Sequence, residues 1–237
     1  MSALLEIKDL WGGYTEGVDI IRGINMEVQQ GETVGIIGLN GSGKSTFSKA
    51  IMNMIPYRRG HIFFNGEDVT GLRTDQLTHR GIAIMQQGGR VFPNLSVWDN
   101  LQLACNNSQL LPLVPRFSEV IPILHRPKRE LQNTMADKLS GGQRHQLALA
   151  MTLATAPQLV IFDEPTAGLS PRAVEETYVI LHSCHVRHGI TFLLIEQNIA
   201  KAVEFCDIAC ILKQGTFDSI VLDKDIDDIN KIIFINH

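Results

Sequence analysis

The first candidate for chemistry is a glycine-rich stretch around a single lysine, which reads GLNGSGKST from Gly38 to Thr46. Glycines allow several backbone N–H groups to converge on phosphate oxygens without collisions from Cβ atoms. An apolar run precedes the stretch and a helical pattern follows it, so the N-terminus of a helix faces the same anion. The spacing Gly-x-x-x-x-Gly-Lys-Ser therefore predicts a P-loop that binds the phosphates of a nucleotide.

Within this loop, Lys44 is expected to reach the β- and γ-phosphates, and the Ser45 hydroxyl to ligate Mg²⁺. The residues predicted to bind the nucleotide are Gly38, Leu39, Asn40, Gly41, Ser42, Gly43, Lys44, Ser45 and Thr46.

A pair of carboxylates, Asp163 and Glu164, follows the apolar run LVIF. Asp163 is expected to hold Mg²⁺, directly or through water, and Glu164 to orient or deprotonate an attacking water. The chain has no Asn-Lys-x-Asp motif of the kind that reads guanine. The two motifs together therefore predict a Mg²⁺-dependent ATPase.

Short apolar strands alternate with helical patterns, which is typical of an α/β fold. Runs such as LVIF and TFLLI lack polar alternation, and this favours a parallel sheet covered on both faces. The early strands alternate more and are closely spaced, which favours an antiparallel sheet beside the main one. The predicted strands are LLEIKDL, INMEV, TVGIIG, HIFFNG, IAIMQ, LVIFDE, TFLLIE and IACILK.

Strand signals stop between Gln87 and Asp137, where prolines interrupt the pattern. We predict a mostly helical insert over residues 96–137, within a single domain that spans residues 1–237. The tail, residues 223–237, reads as a charged turn followed by a short apolar segment.

A second helix N-terminus is indicated by LSGGQ, from Leu139 to Gln143. Ser140 is a candidate N-cap, and the glycines permit close backbone approach. The residues RHQLALAMTLATA then read as a helix whose apolar face comprises Leu147, Ala150, Met151 and Ala154. Either the two helix ends meet around one nucleotide within the chain, or each nucleotide is shared between two chains.

The chain resembles the ATP-binding subunits of ABC transporters along nearly its whole length. The resemblance is carried by GLNGSGKST, MQQGGRVFPNLSVWDNL, LSGGQ, LVIFDEPTAGLSP and TFLLIEQN. It implies a P-loop ATPase core with an antiparallel β subdomain and an inserted helical subdomain. It also implies a second ATPase subunit, identical or closely related, that pairs head to tail with this one.

The resemblance assigns further residues one at a time. Tyr14 matches the aromatic residue that stacks on adenine, although Trp11 competes for that role. Gln87 matches a glutamine directed at Mg²⁺ and the attacking water, with Gln86 as the neighbouring alternative. In such a dimer the LSGGQ stretch contacts the γ-phosphate of a nucleotide held by the partner's Lys44. The residues concerned are Ser140, Gly141, Gly142 and Gln143.

One position departs from the family pattern, because Gln197 stands where most members have a histidine that touches the γ-phosphate. An amide can donate a hydrogen bond to phosphate, but it cannot become cationic. The resemblance therefore still implies a catalytic role for Gln197. Hydrolysis is expected to be slower or to depend more on Glu164. The sequence EQN, together with GGRVFPNLSVWDNL, is similar to the branch that serves branched-chain amino-acid importers and their urea and amide relatives.

The same branch implies that integral-membrane permease subunits dock near residues 87–98. The stretch VFPNLSVW, Val91 to Trp98, fits either burial within the insert or a groove for a short permease helix. An exposed patch at Val91 and Phe92 would favour the groove.

Composition narrows the class of protein. The 237 residues carry a formal net charge of −4 and no basic stripe, so we expect no nucleic-acid partner. No apolar run spans a bilayer, no signal peptide is evident, and the four cysteines form no C-x-x-C pair. These features favour a reduced, cytosolic setting, and the resemblance implies that the protein is held peripherally at the cytoplasmic face of the inner or plasma membrane. A soluble, non-transport ABC ATPase and a non-hydrolysing regulatory cassette remain as alternatives.

Overall fold

The computed structural model of the chain describes residues 3–105 and 116–221. The predicted tail, residues 223–237, lies outside the described residues, as does the part of the predicted insert from residue 106 to residue 115. Ten strands are named β1 (Leu5–Gly13), β2 (Ile21–Val28), β3 (Thr33–Ile37), β4 (Tyr57–Phe64), β5 (Glu67–Asp68), β6 (Ile82–Met85), β7 (Leu159–Asp163), β8 (Thr191–Glu196), β9 (Ile208–Lys213) and β10 (Thr216–Val221).

The described helices are α1 (Lys44–Ile51), α2 (Thr74–His79), α3 (Val97–Ala104), α4 (Lys128–Asn133), α5 (Gly141–Leu153), α6 (Pro171–His188) and α7 (Ile199–Phe205). Two short 3₁₀ helices cover Pro122–His125 and Ala136–Lys138. Within the described part of the chain, no helix is both long and apolar enough to cross a bilayer.

The chain divides into two compact units. The first unit comprises the chain up to Leu77, residues 161–163, and the chain from Thr191 onward. The second unit comprises residues 78–160 and 164–190.

An antiparallel sheet in the first unit has the strand order β2-β1-β4-β5. Strand β2 alternates between buried and exposed side chains, as expected for a sheet with one covered face. This confirms the prediction of an antiparallel sheet from the early part of the chain.

The parallel sheet of the first unit is centred on β3. This strand pairs in parallel with β8, where Thr33 lies opposite Phe192, and with β9, where Val34 lies opposite Ile208. All residues of β3 and β8 are buried, which is the pattern expected of strands covered on both faces. The predicted α/β fold with two kinds of sheet is thus confirmed, and β3 belongs to the parallel sheet although it is early in the chain.

Two strands were not predicted. Strand β5 has only two residues, and β10 pairs antiparallel with β9 at the sheet edge. The sequence of β10, TFDSIV, alternates too weakly to signal a strand, and its pairing depends on the turn at Gly215.

The second unit is mainly helical. All named elements among its described residues from 96 to 137 are α or 3₁₀ helices. Helix α5 buries Leu147, Ala150 and the following Ala154, as predicted, but Met151 is only half-buried. His145, Leu149 and other neighbours are buried as well, so the helix packs on more than the single face that the sequence indicated.

A buried asparagine organises the loop before helix α3. The Asn100 side chain is fully buried; its Oδ1 accepts from Phe92 N at 2.7 Å, and its Nδ2 donates to Phe92 O at 3.0 Å and Ser96 O at 2.9 Å. Ser96 caps the helix by accepting from Asp99 N. One buried amide therefore makes these three hydrogen bonds to the backbone of this turn, and it supplies the acceptor for Phe92 N.

We expect Asn100→Ala to lower the free energy of unfolding by about 3 kcal/mol, because a fully buried side chain loses these three hydrogen bonds to the backbone and Phe92 N loses its acceptor. Urea unfolding of the whole chain measures this change. Asn94→Ala, at an exposed position in the same loop, is the matched control and should change stability by less than about 0.5 kcal/mol. Equal effects of the two substitutions would show that Asn100 does not organise the loop.

Candidate functional site

The phosphate-binding loop connects β3 to helix α1. Lys44 is 4% exposed, and its Nζ donates to Gly38 O at 2.7 Å and to Leu39 O at 3.0 Å. The lysine thus lies along the loop, where its charge is directed at the same space as the loop's backbone N–H groups.

Steric constraints explain the glycines of this loop. A Cβ on Gly38 would lie 2.3 Å from Leu212 O and 2.7 Å from Ser42 Oγ. Gly43, the residue before α1, has φ of 104°, a conformation that residues with side chains rarely adopt. The loop can hold its shape only if these positions lack side chains.

The loop contains a polar atom that fits a phosphate ligand. Ser42 is 8% exposed, and its buried Oγ has no hydrogen-bond partner among the described residues. The first N–H groups of α1 also have no partner within the helix. Donors of this kind at a helix N-terminus fit the phosphates of a nucleotide.

The predicted magnesium ligands of the first unit lie together. Ser45 Oγ donates to Asp163 Oδ1 at 3.0 Å, and Ser48 Oγ donates to Asp163 Oδ2 at 3.2 Å. Asp163 is 2% exposed at the end of β7. Hydroxyl and carboxylate oxygens are ligands that Mg²⁺ prefers, usually beside phosphate and water, so the donor set fits this ion.

Ser48 was not predicted to take part. It is fully buried, one turn after Ser45 on α1, and it binds the second oxygen of Asp163. The spacing of three residues on one helix face was the signal that could have identified it.

Glu164 has an unusual backbone conformation. Its φ is 51°, in the left-handed region that is uncommon for residues other than glycine, and its side chain is buried. Gln87 Nε2 donates to Glu164 Oε2 at 2.9 Å. Strained conformations of this kind cluster at functional sites, and the contact favours Gln87 over Gln86 as the functional glutamine.

The LSGGQ stretch forms a reciprocal cap at the start of helix α5. Ser140 Oγ accepts from Gln143 N at 3.3 Å, while Gln143 Oε1 accepts from Ser140 N at 3.1 Å. The predicted N-cap is therefore confirmed, and the partner role of Gln143 was missed although the spacing Ser-x-x-Gln signals it.

The capped end of α5 opens into a cleft of about 720 Å³. Ser140, Gly142 and Gln143 line it, and so do Ser170 and Ala173 from the start of helix α6. Both helices present N-terminal N–H groups, so the cleft is suited to an anion supplied from outside this unit.

Tyr14 and Trp11 are placed differently. Tyr14 is 48% exposed, whereas Trp11 is half-buried and donates from Nε1 to Asp9 Oδ1 at 2.6 Å. Tyr14 is thus the more accessible of the two candidates for stacking on a base.

Gln197 is exposed, directly after strand β8. Its backbone N–H donates to Oε2 of the preceding Glu196 at 3.1 Å, and Glu196 is buried. The buried carboxylate of Glu196 therefore fixes the backbone of Gln197, where the turn after β8 begins.

The stretch from Val91 to Trp98 combines both predicted environments. Phe92 is 52% exposed and Val91 is half-buried, whereas Val97 and Trp98 are buried. The beginning of the stretch therefore offers an apolar surface, and its end belongs to the core of the second unit.

Comparisons with known proteins identify a family. The family model for ABC transporters matches residues 21–167. The chain is 32% identical over 220 residues to the lipopolysaccharide export ATP-binding protein LptB of Acidithiobacillus ferridurans, covering 91% of this chain and 88% of that one. It is also 32% identical over 215 residues to the probable branched-chain amino acid transport ATP-binding protein LivF of Archaeoglobus fulgidus, covering 90% and 89%.

A solved structure supports the same relation. The cbiO1 protein of Clostridium perfringens, part of the ABC transporter complex cbiONQ, superposes with a TM-score of 0.81 at 25% identity. The match covers 99% of this chain and 97% of that one.

A buried histidine on helix α5 makes stability depend on pH. His145 is 7% exposed, its Nε2 has no hydrogen-bond partner among the described residues, and burial lowers its pKa from 6.5 to about 4. Between these two values the unfolded chain binds a proton that the folded protein does not. The free energy of unfolding therefore falls as the pH drops through this window, and it is unaffected above about pH 6.5.

Relative to His145→Leu, the parental protein is expected to lose about 2 kcal/mol of stability between pH 7 and pH 5. Urea unfolding of both proteins at several pH values in this range provides the comparison. Parallel stability curves would mean that His145 takes up its proton as readily in the folded protein as in the unfolded chain.

Proposed function

Since the chain belongs to the ABC transporter family, whose ATP-binding domain hydrolyses ATP, we propose that it is the ATP-hydrolysing subunit of an import system. The observation that carries this proposal is the contact between Ser45 and Asp163, because it joins the phosphate-binding loop to the acidic end of β7. Binding of Mg²⁺ and a nucleoside triphosphate requires the phosphate-binding loop and an acidic residue to lie side by side in this way.

The chain's own residues supply binding and orientation. The Lys44 ammonium and the N–H groups of the loop would bind the β- and γ-phosphates, and Ser45 and Asp163 would hold Mg²⁺. When bound, the ion would neutralise phosphate charge in the transition state.

Glu164 would orient the attacking water and accept its proton. The hydrogen bond from Gln87 holds one oxygen of this carboxylate and so helps to orient it. Glu164 directly follows Asp163 in the chain, so the base and the ion ligand are supplied by consecutive residues. Gln197 would add a neutral hydrogen bond to the γ-phosphate.

A second cassette would complete each nucleotide site. The cleft at the start of α5 is lined by Ser140, Gly142 and Gln143. We infer that it receives the γ-phosphate of a nucleotide bound to the Lys44 of a partner subunit. A two-fold, head-to-tail pairing of identical or related subunits creates two such sites.

The permease contact is assigned to residues 87–98. Phe92 supplies the exposed apolar side chain, while Gln87 at the start of the stretch contacts Glu164. A partner bound here is thereby one hydrogen bond away from the catalytic carboxylate. This assignment places the protein peripherally at the cytoplasmic face of the membrane.

Branched-chain amino acids are the substrate class that we propose, with urea or short amides as the near alternative. The support comes from Gln197 in the sequence EQN and from LivF among the relatives. LptB matches at the same identity as LivF, so lipopolysaccharide export is the second candidate.

Glu164→Gln should leave nucleotide binding intact and lower ATP turnover by more than about 100-fold, because the amide cannot accept the proton of water. The variant should also accumulate as a dimer with Mg-ATP, which size-exclusion chromatography would detect. Turnover at the parental rate would refute the catalytic assignment.

A matched control for this test is Glu204→Gln. Glu204 is an exposed carboxylate that pairs with Lys201 at 3.1 Å on helix α7. This variant should hydrolyse ATP at the parental rate and should not accumulate as a dimer.

Uptake in cells tests the substrate class. Replacing the chromosomal copy with Lys44→Ala should abolish uptake of labelled leucine, because the phosphates lose their cation, while Lys8→Ala at an exposed site should not. Loss of urea or acetamide uptake instead would favour the amide branch. Unchanged uptake of all three would contradict the import proposal and favour export.

A further inference from the structure

The loop that carries Tyr14 is closed at its base by backbone contacts. Val18 N donates to Thr15 O at 3.0 Å within the loop, and Ile20 N donates to Gly12 O at 2.8 Å just outside it. The two sides of the loop lie so close together that a Cβ on Gly13 would be 2.2 Å from Val18 O. We refer to residues 14–18 as the Tyr14 loop.

Arg59 on strand β4 bridges the two sides of this base. Its guanidinium lies 4.4 Å over the ring of Trp11, in the strand that enters the loop. The same group lies 3.3 Å from Asp19 Oδ2, in the segment that leaves the loop. A third contact, at 3.4 Å, goes to the hydroxyl of Tyr57.

The Trp11 ring that Arg59 contacts is itself held in place, and Asp19 depends on Arg59 for its charge partner. Trp11 donates from Nε1 to Asp9, whose backbone N–H in turn donates to Asn25 Oδ1 at 3.0 Å. Asp19 Oδ1 is buried and has no hydrogen-bond partner in the described residues, so Arg59 is the group that balances this carboxylate.

The base of the loop also touches the phosphate-binding loop. Ile20 O lies 3.4 Å from the position of a Cβ on Gly43, the residue before Lys44. Arg22 N donates to Gly215 O at 2.7 Å and holds the following segment in place. The position of Ile20 is therefore fixed relative to the phosphates that Lys44 would bind.

From this geometry we infer that Arg59 is a positioning residue for base recognition: it locks the Tyr14 loop so that the Tyr14 ring is held at a set distance from the phosphate-binding loop. The inference rests on the role proposed for Tyr14 and goes beyond it, because Arg59 itself touches no nucleotide. A planar guanidinium suits this task, since it stacks on an indole and pairs with a carboxylate at the same time.

Substitution of Arg59 is expected to weaken binding of the nucleotide base and to leave binding of the phosphates unchanged. Arg59 is 53% exposed but Asp19 only 18%, so Arg59→Ala should lower the urea midpoint modestly and still leave the protein folded at 25 °C. Without Arg59 the Tyr14 loop would sample several conformations. Binding of a base would have to order the loop again, and this cost would lower the affinity.

The test compares two ligands of the full chain by isothermal titration calorimetry: Mg-ADP, which has the base, and Mg-pyrophosphate, which lacks it. Tyr14→Ala should weaken ADP binding by about tenfold, in the range of aromatic stacking on a base. Arg59→Ala should weaken it by about three- to tenfold, and pyrophosphate binding should change by less than about twofold in either variant. Asp19→Asn, which removes the ion pair at constant shape, should repeat the ADP-specific loss.

The double variant decides whether Arg59 acts through Tyr14. If it does, Arg59→Ala should cause no further loss of ADP affinity in the Tyr14→Ala background. Additive losses, or equal losses for ADP and pyrophosphate, would overturn the inference. Unchanged ADP affinity in Tyr14→Ala would instead refute the stacking role of Tyr14, while pyrophosphate binding would still report on the phosphate site.

Two further variants serve as controls. Arg73→Ala removes an arginine of the same unit that pairs with Asp75 at 2.8 Å, so it corrects for the loss of one positive charge. It should leave both affinities unchanged. Arg59→Lys retains the cation without the planar group and should restore only part of the ADP affinity.

Discussion

The structure depends on the tight turn that follows strand β3. At Gly38 the backbone passes so close to Leu212 O and Ser42 Oγ that no Cβ fits, and Gly43 takes a left-handed conformation immediately before helix α1. This path lets the buried ammonium of Lys44, at the start of the helix, donate to the carbonyls of Gly38 and Leu39. The parallel pairing of β3 with β8 and β9 supports the turn on both sides.

The two consecutive carboxylates differ because their surroundings differ. Asp163 ends a buried strand and accepts from two hydroxyls of α1, which fixes both of its oxygens. Glu164 leaves the strand with a positive φ, and its known amide partner holds one oxygen. A change of backbone conformation between neighbouring residues thus separates the proposed ion ligand from the proposed base.

Small polar contacts position the remaining functional segments. Ser140 and Gln143 satisfy each other at the start of α5, Asn100 satisfies the turn at Phe92, and Arg59 spans the base of the Tyr14 loop. Ser140, Gln143 and Asn100 supply hydrogen bonds to backbone groups, whereas Arg59 joins side chains on the two sides of a loop that backbone hydrogen bonds also close. Side-chain contacts therefore add to the backbone hydrogen bonds that hold these segments.

The sequence by itself determined the sheet types, the phosphate-binding loop, the acidic strand end and the cap at Ser140, because each depends on short-range periodicity or spacing. It did not reveal Ser48 as a partner of Asp163, the contact of Gln87 with Glu164, or the clamp of Arg59 over Trp11. The two residues of these pairs are 115, 77 and 48 positions apart; the spacing of Ser48 from Ser45 places both on one helix face, but no local pattern identifies the distant partner in any pair. Only the tertiary structure decided them, because strand order and loop closure determine which distant side chains meet.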